Sequence, residues 1–460
     1  MSLYQKIRQQ GREFSQRTLD RHLRLGVTGL SGAGKTAFIT SLVHQLTQGD
    51  QPAHLPFFAV VREKRYLGGQ VNQQQVLSVP RFPIEQNLQY LQQQPPTWPP
   101  STRGWSQLSL TLRYKAATGL RAKLQSRSEL ALNIVDYPGE WLLDLPLLSM
   151  DYQQWCEFSW RLFRQPHRQA VAKVFEQYLL TLNQQDGSEL ALQKATDNYK
   201  TLLQQFHDTP GAYLNQPGRL LVPGELAGAP MLQLFPLLPE QAAANTALAK
   251  KLAQHYKSYC KNVVEPFYQQ HFVSLDRQII LVDCLTALNN GYAAMQELQQ
   301  ALQLILKSFH YGPSSLLTRL FKPKINKVLF AASKADHATP EQHKALSLLL
   351  QQLLQQPLKL SHYQAAVTEV MAIAAIRAST SGYVQAEGLA QPCIRGETLQ
   401  QKSVTYFPGE VPATIPSAEF FKQHKFEFLA LRPIKWAEHE PLPHVRMDHV
   451  LQFMLGDKLE

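Results

Sequence analysis

Residues 29–36 read GLSGAGKT and match the pattern G-x-x-x-x-G-K-S/T. Three glycines let the backbone curl, so that successive N–H groups point inward at a diphosphate. Residues 23–28 before the loop alternate like a β-strand, and residues 37–43 after it are suited to begin a helix, whose N-terminal dipole attracts an anion. The octapeptide therefore predicts a strand–loop–helix unit that binds nucleotide phosphates.

Two side chains of this loop have specific predicted roles. Lys35 reaches the β- and γ-phosphates and takes part in catalysis, and the Thr36 hydroxyl is a ligand of Mg²⁺. The loop backbone supplies the other phosphate contacts. The predicted phosphate-binding residues are Ser31, Gly32, Ala33, Gly34, Lys35, Thr36 and Ala37.

Composition and charge restrict the class of protein. The chain has 460 residues, of which 44% are hydrophobic and 18% charged, as in ordinary globular proteins. The net charge is +11, but the basic residues are scattered and no RNA-binding signature is visible, so nucleic acid is not an expected partner. No apolar run is long enough to span a bilayer, and residues 1–25 lack the apolar segment of a secretory signal. The four cysteines are widely spaced, which is typical of free thiols, and we expect a cytoplasmic protein.

Hydrophobic periodicity divides the chain into five parts: a basic helix at 1–21, two α/β parts at 22–149 and 276–390, a helical insertion at 150–275 between them, and a C-terminal extension at 391–460. Strands that alternate with helices predict a mainly parallel sheet flanked by helices. The expected fold is therefore α/β, interrupted by a large helical insertion.

The individual strands are predicted from alternating or continuous apolar runs. Residues 48–105 are rich in Gln and Pro and are interpreted as an extended loop. Strands are predicted at 107–113, 130–135, 278–283, 327–332 and 367–376 and, in the C-terminal part, at 425–431.

The pattern Asp-x-x-Gly occurs twice, at 136–139 and at 208–211. A predicted strand precedes the first copy, whereas the residues before the second have no strand character. Because this motif works at the carboxyl end of a strand beside the phosphate loop, we assign the role to residues 136–139. Asp136 is then expected to hold a Mg²⁺-bound water, and the Gly139 N–H to sense the γ-phosphate during catalysis.

A base-reading element is predicted at 333–336, Ser-Lys-Ala-Asp, directly after a buried strand. The Asp336 carboxylate can accept hydrogen bonds from guanine N1–H and N2–H₂, a pair of donors that adenine lacks. The Lys334 stem is expected to lie along the purine, with His337 adjoining it. Backbone N–H groups of Arg377 and Ala378, after the next strand, are expected to reach the guanine oxygen.

A threonine that senses the γ-phosphate and binds Mg²⁺ is expected just before the strand at 107. Thr102 fits this position, and Thr97 is the alternative. The adjacent Arg103 is a candidate for an arginine that stabilises charge on the transferring phosphate. The other interpretation of Arg103 is a solvated side chain on a polar loop.

These motifs, in this order, resemble those of the translation-factor-related GTPases of the Ras-like fold. Nearly the whole chain is similar to the YcjX-type stress-associated GTPases of Gram-negative bacteria. This resemblance implies a cytoplasmic bacterial GTPase linked to stress. It is carried by residues 29–36, 135–141 (VDYPGEW), 283–289 (DCLTALN) and 445–448 (VRMD).

Two residues depart from the usual GTPase pattern. Ser333 replaces the Asn or Thr that commonly precedes Lys-x-Asp. Glu140 stands where Ras-like enzymes place a water-orienting Gln, so Ser31 or Arg103 is expected to contribute instead, or hydrolysis is slow until a partner helps.

The predicted function is Mg²⁺-dependent hydrolysis of GTP to GDP and phosphate, used as a conformational switch. The helical insertion would transmit the change to a protein partner. One alternative is a GTP-binding scaffold with little hydrolysis, and another is an ATP-dependent kinase or ATPase. A further alternative is a membrane-associated, dynamin-like GTPase whose segment 1–21 binds anionic lipids at the inner membrane.

Overall fold

A computed structural model of the chain describes residues 22–48, 54–73, 79–102, 104–117, 127–272, 274–308, 325–359, 366–386, 389–437 and 440–460. The basic helix predicted at 1–21 and the candidate Arg103 lie outside the described residues. None of the helices in these ranges combines the length and the apolar character that crossing a bilayer requires.

A seven-stranded sheet with the order β2-β3-β4-β1-β5-β6-β7 forms the centre of the fold. The run from β4 to β7 is parallel, and β3 pairs antiparallel with both of its neighbours. The mainly parallel sheet flanked by helices is therefore confirmed. Its strands are β1 His22–Gly29, β2 Tyr66–Val71, β3 Ser106–Tyr114, β4 Ser128–Asp136, β5 Arg277–Val282, β6 Lys327–Ala332 and β7 Val367–Ala372.

Helices cover both faces of this sheet, which is why every residue of β5 is buried. Helices α1 and α15 pack on one face, and α12, α13 and the helices between β4 and β5 pack on the other. The α-helices are α1 Lys35–Gln48, α2 Ala59–Arg62, α3 Ile84–Gln92, α4 Tyr152–Phe163, α5 Pro166–Leu180, α6 Glu189–His207, α7 Gly218–Leu221, α8 Pro239–Ala243, α9 Ala247–Tyr259, α10 Glu265–Phe267, α11 Cys284–Asn289, α12 Gly291–Ser308, α13 His343–Lys359, α14 Ala418–Gln423 and α15 Met447–Leu455.

The segment between β4 and β5 is mostly helical, as its periodicity predicts. Asp151 caps α4 by accepting the N–H of Gln154, whose side chain in turn accepts the Asp151 N–H. The aromatic residues at helical spacing form the core of this segment; for example, the rings of Trp155 and Tyr256 stack with centroids 5.4 Å apart. Its apolar side chains are continuous with those on the adjoining face of the sheet.

Two local predictions are wrong. The expected loop at 48–105 contains α2, the edge strand β2 and α3. Strand β2 is hard to recognise because it contains Gly68 and Gly69. A side chain at Gly69 would overlap the carbonyl oxygen of Leu46 in α1, so the close approach of strand and helix requires glycine there.

The strand predicted at 425–431 is absent, although Leu431 forms one isolated bridge with Thr398. The main-chain N–H and carbonyl of Phe428 bond instead to the side chain of Asn289.

A second sheet of three antiparallel strands lies earlier in the chain, in the order β10-β9-β8. Its strands are β8 Ser379–Ala386, β9 Leu389–Glu397 and β10 Ser403–Tyr406. Since β9 begins at Leu389, the domain boundary predicted at 390 falls inside a strand.

Candidate functional site

The glycine loop joins the end of β1 to the start of α1, which is the strand–loop–helix arrangement predicted from the motif, and the N-terminus of α1 favours an anion. Gly32 and Gly34 have φ values of +76° and +86°, in the left-handed region that favours glycine. The buried Lys35 side chain points back across the loop, and its Nζ donates to the Gly29 carbonyl over 3.3 Å. The loop is therefore a concave surface with an ammonium group at its centre.

Three predicted Mg²⁺ ligands meet beside this loop. The hydroxyl oxygens of Thr36 and Thr102 are 3.2 Å apart, and Thr102 Oγ1 donates to Asp136 Oδ2 over 2.8 Å. The alternative, Thr97, bonds instead to Tyr90 and Gln93. The geometry therefore favours Thr102 for this position.

The donor set at Asp136 fits a magnesium ion. Asp136 Oδ1 is buried and has no hydrogen-bond partner among the described residues. Burial raises the pKa of Asp136 to about 6, against the opposing effects of Lys35 and Thr102. The described ranges contain no cluster of three or more His, Cys, Asp or Glu arranged for a metal. One carboxylate and two hydroxyls suit a cation that keeps several waters and is held partly by substrate phosphates, which is how Mg²⁺ binds.

The residues after Asp136 pack directly on the phosphate loop. A side chain at Gly139 would overlap the Gly29 carbonyl oxygen and approach Lys35 Nζ, so only glycine fits here. Asp136 stands at the end of β4, whereas Asp208 of the second Asp-x-x-Gly copy directly follows helix α6. The structure therefore places residues 136–139, and not 208–211, at a strand end beside the loop.

Glu140 is buried behind the same loop. Burial raises its pKa, but His207, Lys35 and Ser31 outweigh this effect and the pKa falls to about 2. Glu140 is therefore ionised, and it lines the cavity described below. An anion at this position cannot act as the neutral water-orienting Gln does.

The predicted base-reading loop follows β6, with Lys334 in the left-handed conformation at φ +61°. Lys334 Nζ forms a 2.5 Å ion pair with Asp283 Oδ2. Asp336 Oδ2 accepts the N–H groups of Ala378 and Ser379, at 2.5 and 3.2 Å. The Ala378 N–H, expected to face a guanine oxygen, is thus directed at the Asp336 carboxylate.

A cavity of about 350 Å³ extends from the glycine loop to this base-reading loop. Asp136, Gly139, Arg377 and Ala378 are absent from its described lining, and the Arg377 N–H bonds to the Pro443 carbonyl over 2.8 Å. The predicted residues that line it are Ser31, Gly32, Ala33, Gly34, Lys35, Thr36, Ala37, Thr102, Lys334, Asp336 and His337. Side chains predicted for phosphates and for a purine therefore face one continuous space.

Sequence reasoning missed one part of the cavity wall. Trp98, Leu399 and residues 428–431 line the cavity there. The Trp98 indole N–H donates to the Leu431 carbonyl over 2.8 Å, and His337 Nδ1 lies 3.0 Å from the Leu429 carbonyl. The sequence signal for this wall is the apolar run at 425–431, whose alternation predicts a strand that the structure does not contain.

The glycine loop between β1 and α1, with Asp136 at the end of the neighbouring strand β4, defines an α/β protein of the phosphate-loop class. The chain belongs to the YcjX-like family, DUF463, whose model matches residues 23–459. The family resemblance noted in the sequence is thereby confirmed.

Curated relatives support the same assignment over nearly the full chain. A protein of Shewanella oneidensis named Ras-like GTPase YcjX is 41% identical over 484 aligned residues, covering 99% of this chain and 98% of its own. A protein of Escherichia coli K12 with the same name is 41% identical over 456 residues, covering 96% of this chain and 97% of its own.

Proposed function

We propose that this protein binds GTP with Mg²⁺ and hydrolyses it to GDP and phosphate. The observation that carries the proposal is the single cavity that joins the glycine loop to Asp336. Relatives of similar length that are named GTPases support it.

The glycine loop would hold the phosphates through its backbone N–H groups. Lys35 Nζ, which bonds only weakly to Gly29 at 3.3 Å, would turn to the β- and γ-phosphates and neutralise charge that develops on the bridging oxygen. Mg²⁺, when bound, would supply further positive charge there. Thr36, Thr102 and, through a water, Asp136 would hold the ion, and the Gly139 N–H would sense the γ-phosphate. Arg103 remains a predicted contributor.

Asp336 would select guanine. Its Oδ2 is fixed by the Ala378 and Ser379 N–H groups, which leaves the remaining capacity of the carboxylate for N1–H and N2–H₂ of the base. Lys334 and His337 would pack beside the purine, and the wall at 428–431 would cover it. Arg377 and Ala378 would support Asp336 rather than touch the base in this conformation.

A second candidate function is a GTP-binding switch that hydrolyses slowly on its own. The ionised Glu140 favours it, because a carboxylate near the γ-phosphate is a poor substitute for a neutral Gln. In either case we propose that the helical part at 150–275, inserted between α/β parts at 22–149 and 276–390, relays the nucleotide state to a protein partner. A link to stress and a cytoplasmic location belong to the same proposal.

Steady-state release of phosphate from GTP tests this function. The wild-type protein should release phosphate only with Mg²⁺, and Lys35→Ala should lower the rate by about 100-fold or more, as expected for loss of a transition-state charge contact. Lys422→Ala is the matched control, because Lys422 is exposed and pairs only with Glu419 among the described residues. GTP binding without release would favour the second function, and release from ATP at the same rate would refute the guanine assignment.

A further inference from the structure

A histidine from the helical segment reaches the phosphate end of the cavity. His207 is the last residue of α6, and its Nε2 lies 3.3 Å from the Ser31 hydroxyl and 3.8 Å from Glu140 Oε1. Its Nδ1 lies 3.2 Å from Asp208 Oδ1. Ser31 and Glu140 line the cavity, so His207 stands directly behind that wall.

Each ring nitrogen of His207 faces an acidic side chain. Such surroundings favour a proton on both nitrogens, because each can then donate to an oxygen. The ion pair with Glu140 is the main reason that the pKa of His207 rises to about 9, despite partial burial. His207 is therefore a cation paired with an anion at this site.

The same helical segment also fixes the backbone of Glu140. A side chain at Gly218 would overlap the Glu140 carbonyl group. Four residues further on, Asp144 accepts the N–H groups of Gly218 and Arg219 and, over 2.5 Å, the Tyr259 hydroxyl. Glu140 is thus held by its side chain at His207 and by its main chain at Gly218.

We propose that His207 is a positioning residue that neutralises Glu140 and holds it away from the place of the third phosphate. The inference rests on the proposed function. Two negative charges, a γ-phosphate and an unpaired Glu140, would repel each other in a poorly solvated space. Without His207, Lys35 would have to offset both negative charges, because Lys35 is the other cation that lowers the pKa of Glu140.

Calorimetric binding of GDP and of a non-hydrolysable GTP analogue, with Mg²⁺ present, tests the inference. His207→Ala should weaken binding of the analogue by about 10-fold, a usual size for coupling between groups, and change GDP binding less than about 2-fold. In that background Glu140→Gln should restore binding of the analogue, because it removes the unpaired charge. His255→Ala is the matched control, since His255 lies in the same segment and contacts the Gln233 carbonyl.

Restoration of analogue binding by Glu140→Gln separates a role of His207 in neutralising charge from a purely structural role. If His207→Ala weakens both ligands equally and Glu140→Gln restores neither, the inference is wrong. His207→Gln, which keeps a polar side chain without the charge, provides the same comparison if the alanine variant fails to fold. A wild-type protein that binds neither guanine ligand would overturn the proposed function as well. Normal wild-type binding with an unaffected His207→Ala would overturn the inference alone.

Discussion

Thr102 Oγ1 donates a 2.8 Å hydrogen bond to Asp136 Oδ2. The bond links the segment before β3 to the end of β4, and Thr102 also lies 3.2 Å from the Thr36 hydroxyl. Three oxygen-bearing side chains from three segments therefore converge beside Lys35. This convergence supports the proposed Mg²⁺ site beside the glycine loop.

Asp136→Asn should make nucleotide binding insensitive to magnesium. For the wild-type protein, we expect chelation of Mg²⁺ by EDTA to weaken GTP binding by about 10- to 100-fold, the range typical of losing support at a metal site. In the variant, the affinities for GTP with and without EDTA should agree within about 2-fold, because a neutral amide replaces the carboxylate that would help to hold Mg²⁺.

The control for this variant is Asp208→Asn, at the other Asp-x-x-Gly copy. Asp208 lies after a helix rather than after a strand and faces His207, so its substitution can alter GTP binding itself but should leave the ratio of the affinities with and without EDTA unchanged. Equal loss of the magnesium effect in both variants would contradict the placement of the ion at Asp136.

Gly218→Ala should impair recognition of the third phosphate from within the helical segment. A methyl group there would press on the Glu140 carbonyl and displace the backbone next to Gly139. We expect binding of a GTP analogue to fall by about 10-fold while GDP binding changes little. Gly187→Ala is the control, because an added methyl group at Gly187 has only ordinary contacts, at 3.8 Å or more. An identical response of the two variants would show that the segment is not coupled to Glu140 in this way.

Asp336→Asn should change the preferred base from guanine to xanthine. The Asn carbonyl oxygen would take the place of Oδ2 and accept the Ala378 and Ser379 N–H groups, so its NH₂ group would face the cavity. An NH₂ group suits the 2-carbonyl of xanthine and opposes the guanine amine. GDP binding should fall by about 100-fold or more, and xanthosine diphosphate binding should rise. Unchanged GDP binding in the variant would remove Asp336 from base recognition.

Glu297→Gln should destabilise the fold. Glu297 in α12 forms a fully buried ion pair with Arg168 in α5 and accepts the Leu214 N–H over 2.7 Å. Leaving Arg168 without its charged partner should lower the free energy of unfolding by about 3–5 kcal/mol, measured by urea denaturation. Glu176→Gln is the control, because Glu176 pairs with Arg164 only at 4.0 Å on the surface, and its loss should cost less than about 1 kcal/mol.

The Glu297 carboxylate should also make the stability of the fold depend on pH. Burial alone would raise the pKa of Glu297, but His167, Arg168 and the Leu214 N–H outweigh it and lower the pKa from 4.5 to about 2. The stabilisation is therefore present above about pH 4.5 and is lost as the pH falls toward 2. Wild-type stability should decline more steeply than that of Glu297→Gln across this interval, and parallel curves would contradict the assignment.

Short motifs at the ends of buried strands could be predicted from the sequence. The glycine loop and Asp336 follow strands, and Asp136 is the last residue of one; the apolar pattern of each strand can be read from neighbouring residues. Parallel strands then bring their carboxyl ends to one edge of the sheet. The edge strand β2 could not be found in this way, because Gly68 and Gly69 carry no apolar pattern. Gly69 is required by the close approach of the strand to Leu46, which is a contact that the local sequence does not encode.

Contacts across long stretches of chain were beyond sequence reasoning. His207 and Ser31 are 176 positions apart, and Trp98 meets the Leu431 carbonyl across 333 positions. No periodicity encodes such distances, since tertiary packing determines them. Ala378 shows an intermediate case. The strand before it begins at Val367 as predicted but ends at Ala372 and not at residue 376, and the Ala378 N–H bonds to Asp336 and does not face the cavity.

We propose that one cavity binds a triphosphate at the glycine loop and recognises guanine at Asp336. The decisive measurement is calorimetric binding of GDP, GTP, ADP and ATP with Mg²⁺ present. Both guanine nucleotides should bind at least about 100-fold more tightly than their adenine counterparts, because adenine would leave the buried Asp336 carboxylate without hydrogen-bond donors. Equal binding of adenine and guanine nucleotides, or binding of neither, would contradict it.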